Sequence, residues 1–177
     1  MEQYLKLLFG SKDAPKVNIK YVDTDDMLDD DSRLTLENGR FHGDKYIWDN
    51  GSWYNGEYIM DHSSRCYVAQ GKGIYNIEDE DCKQNSIFIG YFDDGMFIEG
   101  SYLGDDGEGY IGEWKDDVSE GEGTYIYSNG DRLTGNWVEG VPEGWCCWFY
   151  KKPKNNHKGY TCYYDDGEII LFGKLLY

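Results

Sequence analysis

The segment Asp106-Gly-Glu-Gly-Tyr-Ile-Gly-Glu-Trp114 decides the fold, together with Gly121-Glu-Gly-Thr-Tyr-Ile-Tyr127 and the following Ser128-Asn-Gly130. Side chains two residues apart lie on the same face of a strand, so Tyr110, Gly112 and Trp114 share one face. Asp-Gly and Asn-Gly are typical of hairpin turns, because such turns need a backbone φ above zero. The stretch therefore predicts a β-hairpin whose aromatic residues and glycines share a face.

The same spacing recurs along the chain. Counted from a turn residue, an apolar or aromatic residue comes third, glycine comes fifth and an aromatic residue comes seventh. The copies begin at Gly51, Asn85, Gly95, Gly107 and Gly130. The equivalent residues Tyr110 and Leu133 are 23 residues apart. A repeat of this length indicates supersecondary units stacked side by side.

The order Tyr-x-Gly-x-Trp, then Gly-x-Gly-x-aromatic, then an Asn-Gly or Asp-Gly turn resembles the MORN repeat family. The resemblance covers roughly residues 38–177 and is most specific at 107–144. It implies an all-β fold, an elongated single-layer antiparallel β-meander of MORN-type hairpin repeats. It also implies binding rather than chemistry, since such repeats scaffold proteins or, in some relatives, associate with membranes.

Two regions are predicted. Residues 1–36 lack the repeat and form an N-terminal acidic segment, a candidate cap for the bare apolar edge of the array. Residues 37–177 form the MORN-repeat-like array. The charge run Asp23–Asp31 does not have the spacing of an EF-hand loop, and it favours either a solvated acidic loop or a contact for a basic partner.

The formal net charge of -17 and the pI of about 4.4 bear on the class of partner. This charge repels nucleic acids and anionic lipids and attracts a basic protein partner, although it also serves solubility alone. The apolar run near Met1 is too short for a secretory signal, and the five cysteines contain no C-x-x-C pair. We therefore expect reduced thiols and a cytoplasmic location.

The sequence predicts no enzyme, no cofactor and no metal site. Gly107-x-Gly-x-x-Gly112 matches a dinucleotide fingerprint by letters, but it opens a strand rather than a helix. The three histidines are far apart, and no nucleophile with a partnering base is evident. Paired carboxylates are expected by chance among 34 acidic residues.

The predicted partner-binding residues lie mainly on the aromatic, glycine-floored face. They are Tyr54, Tyr58, Phe92, Tyr102, Tyr110, Trp114 and Trp137, joined by Trp145 and Phe149 from strand 144–150, which is apolar on both faces. A ring from a neighbouring strand is expected to cover each bare glycine of this face, namely Gly56, Gly100, Gly112 and Gly135.

Three functions are compatible with these features. The first is a scaffold module that binds a segment of a basic partner protein through the aromatic face. The second is an acidic antagonist, such as an immunity protein, antitoxin or nucleic-acid mimic, that neutralises a basic enzyme. The third is a membrane- or phosphoinositide-associated scaffold that uses the basic run Lys151–Lys158. The apolar segment 169–177 predicts an exposed sheet edge and thus a candidate homodimer.

Overall fold

The computed structural model describes residues 23–24, 34–37, 39–62, 64–79 and 84–177, and their regular structure is β throughout. Thirteen strands follow one another along this part of the chain. They are β1 (Asp23–Thr24), β2 (Gly39–His42), β3 (Lys45–Trp48), β4 (Trp53–Asp61), β5 (Cys66–Asp79), β6 (Gln84–Asp93), β7 (Met96–Gly104), β8 (Gly109–Lys115), β9 (Val118–Ile126), β10 (Arg132–Val138), β11 (Val141–Lys154), β12 (His157–Asp165) and β13 (Glu168–Leu176).

Strands β2 to β13 form one antiparallel sheet in the order of the sequence. Each strand pairs with the strand before it and the strand after it, so the sheet is an open meander with β2 and β13 at its two edges. The predicted all-β meander of hairpins is confirmed. Strands that are adjacent in the sequence are also adjacent in the sheet. The apolar side chains of each hairpin are therefore covered by those of the hairpins before and after it.

Two of the turns differ from the prediction. Five two-residue turns have both residues with φ above zero, namely Asp94-Gly95, Asp116-Asp117, Glu139-Gly140, Asn155-Asn156 and Asp166-Gly167. The predicted tight turns at Asp106-Gly107 and Asn129-Gly130 are longer loops instead, in which only the glycine has a positive φ. In these loops the Asp106 and Asn129 side chains accept hydrogen bonds from the backbone two residues ahead.

A few residues of segment 1–36 lie within the described part, and they contact the hairpin of β4 and β5. Strand β1 pairs in parallel with Met60 and Asp61 of β4. The backbone N–H of Leu36 donates to the carbonyl of Tyr67, and the Leu36 side chain is buried. Most of the proposed cap, including most of the acidic run 23–31, lies outside the described residues, so its role stays a prediction.

The buried side chains form two main clusters along the array. The first is centred on Tyr54, Phe92 and Phe97, and the second on Tyr110, Leu133 and Trp137. Both clusters are built mainly from aromatic rings, which bury a large apolar area each. Aromatic packing on one side of the sheet therefore joins successive hairpins, in addition to the hydrogen bonds between their strands.

Candidate functional site

A single row of facing residues crosses the sheet from β2 to β13. Each member is the direct cross-strand partner of the next, and the members are Phe41, Tyr46, Tyr54, Tyr75, Phe88, Tyr102, Tyr110, Tyr125, Leu133, Trp148, Tyr160 and Leu175. All are aromatic except the two leucines. Directly opposed residues in an antiparallel sheet point to the same side. We call this the ring row, and the side of the sheet that carries it the ring face.

A second row runs beside the ring row and consists of glycine. Seven glycines on seven successive strands are direct partners, namely Gly56, Gly73, Gly90, Gly100, Gly112, Gly123 and Gly135. Beyond Gly135 the row continues with Cys146 and Cys162, which pair with each other. We call these seven residues the glycine row.

Two rings of the ring row lie flat over the glycine row. A β-carbon added at Gly73 would lie 2.6 Å from Cε2 of Tyr54, and one added at Gly123 would lie 2.7 Å from Cε2 of Tyr110. Both distances are far below van der Waals contact. The glycines are required here because no side chain fits between the backbone and the ring.

The prediction that neighbouring strands cover the glycines needs correction. Gly56 and Gly112 are covered by Tyr54 and Tyr110 of their own strands, because each ring folds back along its strand. Gly100 is approached by Phe97, also from its own strand. At Gly135 the atoms nearest to an added β-carbon belong to Cys146 rather than to a ring.

The first glycine has a different role in two Gly-x-Gly segments, 71–73 and 121–123. Gly71 and Gly121 have φ of 64° and 69°. Each is followed two residues later by a member of the glycine row, and the strand register shifts beside them, between Gly56 and Tyr58 and between Gly112 and Glu113. A glycine in the left-handed region at such a shift is the usual form of one class of β-bulge.

A family model of the MORN repeat matches residues 110–132, which span β8, β9 and the start of β10. Residues 110–132 are a MORN repeat. The match contains Tyr110, Gly112, Gly121 and Gly123, whose ring cover and bulge geometry have just been described. A comparison with curated proteins finds no match to the chain. The MORN repeat supports a binding module for proteins or membranes as the general class of function.

The nine predicted binding residues differ in how far their side chains are exposed to solvent. Tyr54, Phe92, Tyr110 and Trp137 are buried, at 5% exposure or less. Tyr58, Tyr102, Trp114 and Phe149 are half-buried, and Trp145 is 56% exposed. The buried rings support the surface from beneath and do not themselves present a face to solvent. Partner binding by these nine residues stays a prediction.

Trp145 and Phe149 lie on the side opposite the ring face. Their direct partners on β12 are Tyr163 and Gly159, which alternate with the ring-face residues of that strand. The structure therefore separates these two residues from the other predicted aromatic residues, which it brings together in or beneath the ring face.

Several half-buried rings of the ring face were missing from the predicted site. They are Tyr75, Phe88, Tyr125, Tyr127, Trp148 and Tyr160. Their signal was available in the sequence, because each lies an even number of residues from a glycine or cysteine of the same face. Two of them follow Gly123 within the MORN repeat itself.

The half-buried rings form two groups. In the first, Phe88 is in contact with Tyr75, Tyr102 and Trp114, with centroid distances of 6.4, 5.0 and 5.6 Å. A groove of about 330 Å³ opens beside this group, and its lining includes Tyr75, Phe88 and Asp117. An apolar groove with a carboxylate at its border suits an apolar side chain that ends in a positive charge.

The second group is a stack. Trp148 lies between Tyr127, with centroids 4.7 Å apart and planes 27° apart, and Tyr160, with centroids 6.1 Å apart and planes 8° apart. Tyr127 also contacts Tyr125 at 4.8 Å. The rings form a continuous aromatic stack that runs from the end of β9 to β12.

Three phenols of the ring face, those of Tyr75, Tyr125 and Tyr127, have raised pKa values. Burial raises the pKa of Tyr127 to about 12, and the nearby Tyr160 adds to the shift. Burial, followed by the negative charge of Asp117, raises the pKa of Tyr75. Burial also raises the pKa of Tyr125, whose hydroxyl donates a hydrogen bond to Glu108. These three phenols therefore stay neutral near neutral pH.

Acidic turns line one end of the sheet. The turns Asp94-Gly95, Asp116-Asp117, Glu139-Gly140 and Asp166-Gly167 join alternate strand pairs, so all four lie at the same end. Successive turns are two strands apart, roughly 10 Å. The result is a regular series of negative charges beside the ring face.

The basic run 151–158 forms the β11–β12 hairpin as predicted, with Asn155 and Asn156 in the turn. A groove of about 410 Å³ is lined there by Asn129, Asp131, Lys151, Lys152 and Lys154. The Asp131 carboxylate accepts a hydrogen bond from the Lys151 backbone N–H at 2.9 Å. An acidic side chain in the groove opposes the binding of an anion.

Within the described part of the chain, no group of His, Cys, Asp and Glu residues is arranged to hold a metal ion. Those residues also contain no helix of the length and hydrophobicity needed to cross a bilayer. The four described cysteines, Cys66, Cys146, Cys147 and Cys162, are free thiols. Burial raises the pKa of Cys146 to about 11, and the neighbouring Cys162 adds to this shift, so Cys146 is a poor nucleophile.

Proposed function

We propose that this chain is a non-enzymatic scaffold module that binds a segment of a partner protein along its ring face. One observation carries the proposal, namely the continuous ring row with half-buried aromatic groups around Phe88 and Trp148. Partly exposed aromatic rings are the side chains that contribute most to protein–protein binding. Here their backbone is fixed by the sheet, so little ordering is needed on binding.

The chemistry of the face suggests the chemistry of its partner. The stack of Tyr127, Trp148 and Tyr160 suits flat or aliphatic side chains, and the groove beside Phe88 suits an aliphatic stem that carries a positive charge. The acidic turns and the net charge of -17 favour approach of a basic segment. We therefore propose a partner segment rich in lysine or arginine and interspersed with apolar residues.

The acidic-antagonist alternative uses the same charge but not the rings. A complex held by surface carboxylates weakens steeply with salt, because exposed charges are screened within about 8 Å at physiological ionic strength. A complex held by the ring face keeps most of its affinity in salt, because ring burial is not electrostatic. Affinity measured at low and high salt separates the two functions.

The membrane alternative rests on the lysine groove of the β11–β12 hairpin. The Asp131 carboxylate and the strongly negative chain both oppose an anionic headgroup. We therefore favour a protein partner, and flotation with phosphoinositide-containing vesicles tests the alternative directly. We also propose a cytoplasmic location, which the four free thiols support.

The test uses two tryptophans of the same strand. Short random peptides displayed on phage are selected against the full chain, and the recovered peptides are measured against Trp148→Ala and Trp145→Ala. Trp148 lies in the ring-face stack, and Trp145 lies on the opposite side. We expect Trp148→Ala to lower the affinity by about tenfold or more and Trp145→Ala to leave it unchanged.

Peptides that bind both variants equally would refute the ring face as the binding surface. Recovered peptides without enrichment in lysine or arginine would refute the proposed basic partner while leaving the face itself supported. Circular dichroism of both variants controls for folding.

A further inference from the structure

The groove beside Phe88 is bounded by aromatic rings set at different angles. Its described lining includes Tyr75, Phe88, Phe92 and Phe97. The planes of Phe88 and Phe97 are 78° apart with centroids at 5.1 Å, and those of Phe92 and Phe97 are 57° apart. Rings at such angles form several walls of one groove rather than a single flat surface. The volume of about 330 Å³ is near the lower end for ligand sites, so it suits one side chain.

The groove has a negative charge at its border. Among the described residues that line it, Asp117 is charged and none is a lysine or arginine. Gly95 also lines the groove, so the acidic turns Asp94-Gly95 and Asp116-Asp117 both border it. The charge of Asp117 acts on the aromatic wall, because it adds to the effect of burial in raising the pKa of Tyr75. A cation is therefore the complementary ligand, and ring faces also attract cations.

Hydrogen-bond acceptors are few in this groove. The backbone carbonyl of Gly95 already accepts a hydrogen bond from the Leu34 N–H at 2.8 Å. Apart from Tyr75 and Asp117, the described lining residues have hydrocarbon side chains or none. An unmodified lysine ammonium has three N–H donors, and each of them loses water on entering the groove and needs a new partner. The groove is therefore poorly matched to an unmodified lysine.

Methylation of the lysine improves the match. Each methyl group replaces one N–H, keeps the positive charge and adds apolar surface, and methylated ammonium groups are commonly bound among aromatic rings. A dimethylated lysine keeps one N–H, which corresponds to the one carboxylate of Asp117. A trimethylated lysine keeps none, so it offers that carboxylate no hydrogen bond.

We propose that this groove binds a dimethylated lysine side chain of the partner protein. The methyl groups lie against Phe88 and the neighbouring rings, and the remaining N–H donates to Asp117. This inference rests on the proposed function, because the groove opens on the ring face and its occupant belongs to the proposed basic segment. The chain thereby distinguishes modified from unmodified copies of one partner.

The test uses small probes, so it needs no identified partner. The probes are Nα-acetyl-lysine methylamide and its forms dimethylated and trimethylated at Nε, each titrated into the full chain and followed by NMR. We expect the dimethylated probe to bind about tenfold tighter than the unmodified one and about threefold tighter than the trimethylated one. Its N-methyl protons should shift upfield on binding, because protons over a ring face are shielded.

Asp117→Asn tests the carboxylate, and Asp116→Asn is the matched control in the same turn. Asparagine suits this turn, since Asn155 and Asn156 have φ of 50° and 65° in another two-residue turn, against 49° and 61° at Asp116 and Asp117. Asp117→Asn should weaken binding of the dimethylated probe by about fivefold and make the trimethylated probe the tighter one. Asp116→Asn should leave the order of the three probes unchanged, because Asp116 is not among the described lining residues.

Phe88→Leu tests the aromatic wall while it keeps an apolar side chain. It should remove the preference for methylated probes and reduce the upfield shift, because a leucine has no ring face to attract the cation. Phe149→Leu is the matched control, since Phe149 is also half-buried but lies on the opposite side of the sheet. Circular dichroism and thermal unfolding of all four variants check the fold.

Several outcomes would overturn the inference. Equal binding of the three probes is one, and no binding of any probe is another. Tighter binding of the trimethylated probe by the unchanged chain is a third, and it would indicate a quaternary ammonium ligand such as a choline headgroup. A preference for the dimethylated probe that persists in Asp117→Asn is a fourth.

Failure of this inference can be told apart from failure of the proposed function. Selected peptides that still distinguish Trp148→Ala from Trp145→Ala, with no discrimination among the three probes, would support the ring face and refute the dimethyllysine site. The reverse result, selective probe binding with peptides that do not distinguish the tryptophan variants, would support the groove and refute the stack as the binding surface.

Discussion

The ring of Tyr110 lies over Gly123 of the neighbouring strand, with its Cε2 atom 2.7 Å from the position that a β-carbon at residue 123 would occupy. Gly121, two residues earlier, has a different constraint, because its φ is 69°. One glycine is required by the space beneath a ring and the other by the backbone conformation. Substitutions at the two positions should therefore follow different rules.

Gly123→Ala should lower the free energy of unfolding by about 1–3 kcal/mol, because the added carbon overlaps a buried ring. Gly121→Ala should lower it by about 1–2 kcal/mol through the left-handed backbone, and Gly121→Asn should recover much of that loss. Gly123→Asn should recover nothing. Urea unfolding of the four variants measures this, and recovery by asparagine at 123 rather than at 121 would contradict the assignment.

The MORN spacing made the strands, the repeats and the ring-and-glycine face predictable from sequence. The spacing did not show which rings are buried, because Tyr110 and Tyr125 lie on the same face and at the same level of adjacent strands. Only the side-chain direction separates them: the Tyr110 ring lies over the glycine row, whereas Tyr125 donates a hydrogen bond to Glu108 near the sheet end.

Two turns, at 106–107 and 129–130, were wrongly predicted to be tight, because the composition of a turn does not fix its length. Asp116-Asp117 contains no glycine, yet both residues have positive φ in a two-residue hairpin turn. Asp-Gly and Asn-Gly are stronger signals by composition, but at 106–107 and 129–130 the side-chain oxygens of Asp106 and Asn129 accept backbone hydrogen bonds and stabilise a wider loop. At both sites these side-chain hydrogen bonds favour the wider loop over a two-residue turn.

Tyr54 and Tyr110 occupy equivalent places but differ in their hydroxyl groups. The Tyr54 hydroxyl donates to the Glu57 carbonyl at 2.7 Å, whereas the buried Tyr110 hydroxyl has no hydrogen-bond partner among the described residues. Tyr54→Phe should therefore cost about 1 kcal/mol of stability, and Tyr110→Phe should be neutral or stabilising. Thermal and urea unfolding of the two variants make the comparison, and an equal loss at both positions would show that Tyr110 is hydrogen-bonded in solution.

Alkaline pH should destabilise the fold. Burial raises the pKa of Tyr127 to about 12 and of Cys146 to about 11, whereas in the unfolded chain these groups ionise near pH 10 and pH 8.5–9. The folded chain therefore holds the Tyr127 and Cys146 protons more tightly than the unfolded chain does. The stability that these two groups contribute is complete below about pH 8.5 and is lost as pH rises toward 12.

Urea unfolding from pH 7 to pH 12 should show a decline that begins near pH 9. Tyr127→Phe removes one of the responsible groups and should make the decline shallower above pH 10. Absorbance at the phenolate wavelength provides a second measurement, because the buried phenols should ionise together with unfolding. Ionisation of Tyr127 near pH 10 in a chain that is still folded, measured as the absorbance difference from the Tyr127→Phe variant, would contradict the assigned burial.

Cys146 and Cys162 extend the glycine row into the last hairpins, and both side chains are almost completely buried. Burial also raises the pKa of Cys162. Because the thiolate is the reactive form, iodoacetamide at pH 8 should label these two cysteines only after local opening of the sheet. Cys147 lies on the opposite side, is half-buried, and should be labelled first.

The order of labelling of the buried pair reports where the array opens. Cys162 lies between β11 and the edge strand β13, whereas Cys146 lies one strand further in, so fraying of β13 exposes Cys162 before Cys146. Mass spectrometry of peptides sampled over time should give the order Cys147, Cys162, Cys146 in the folded chain. When urea unfolds the chain, iodoacetamide should label all three cysteines rapidly. Labelling of Cys146 before Cys162 would mean that the sheet opens between β10 and β11 rather than from its edge.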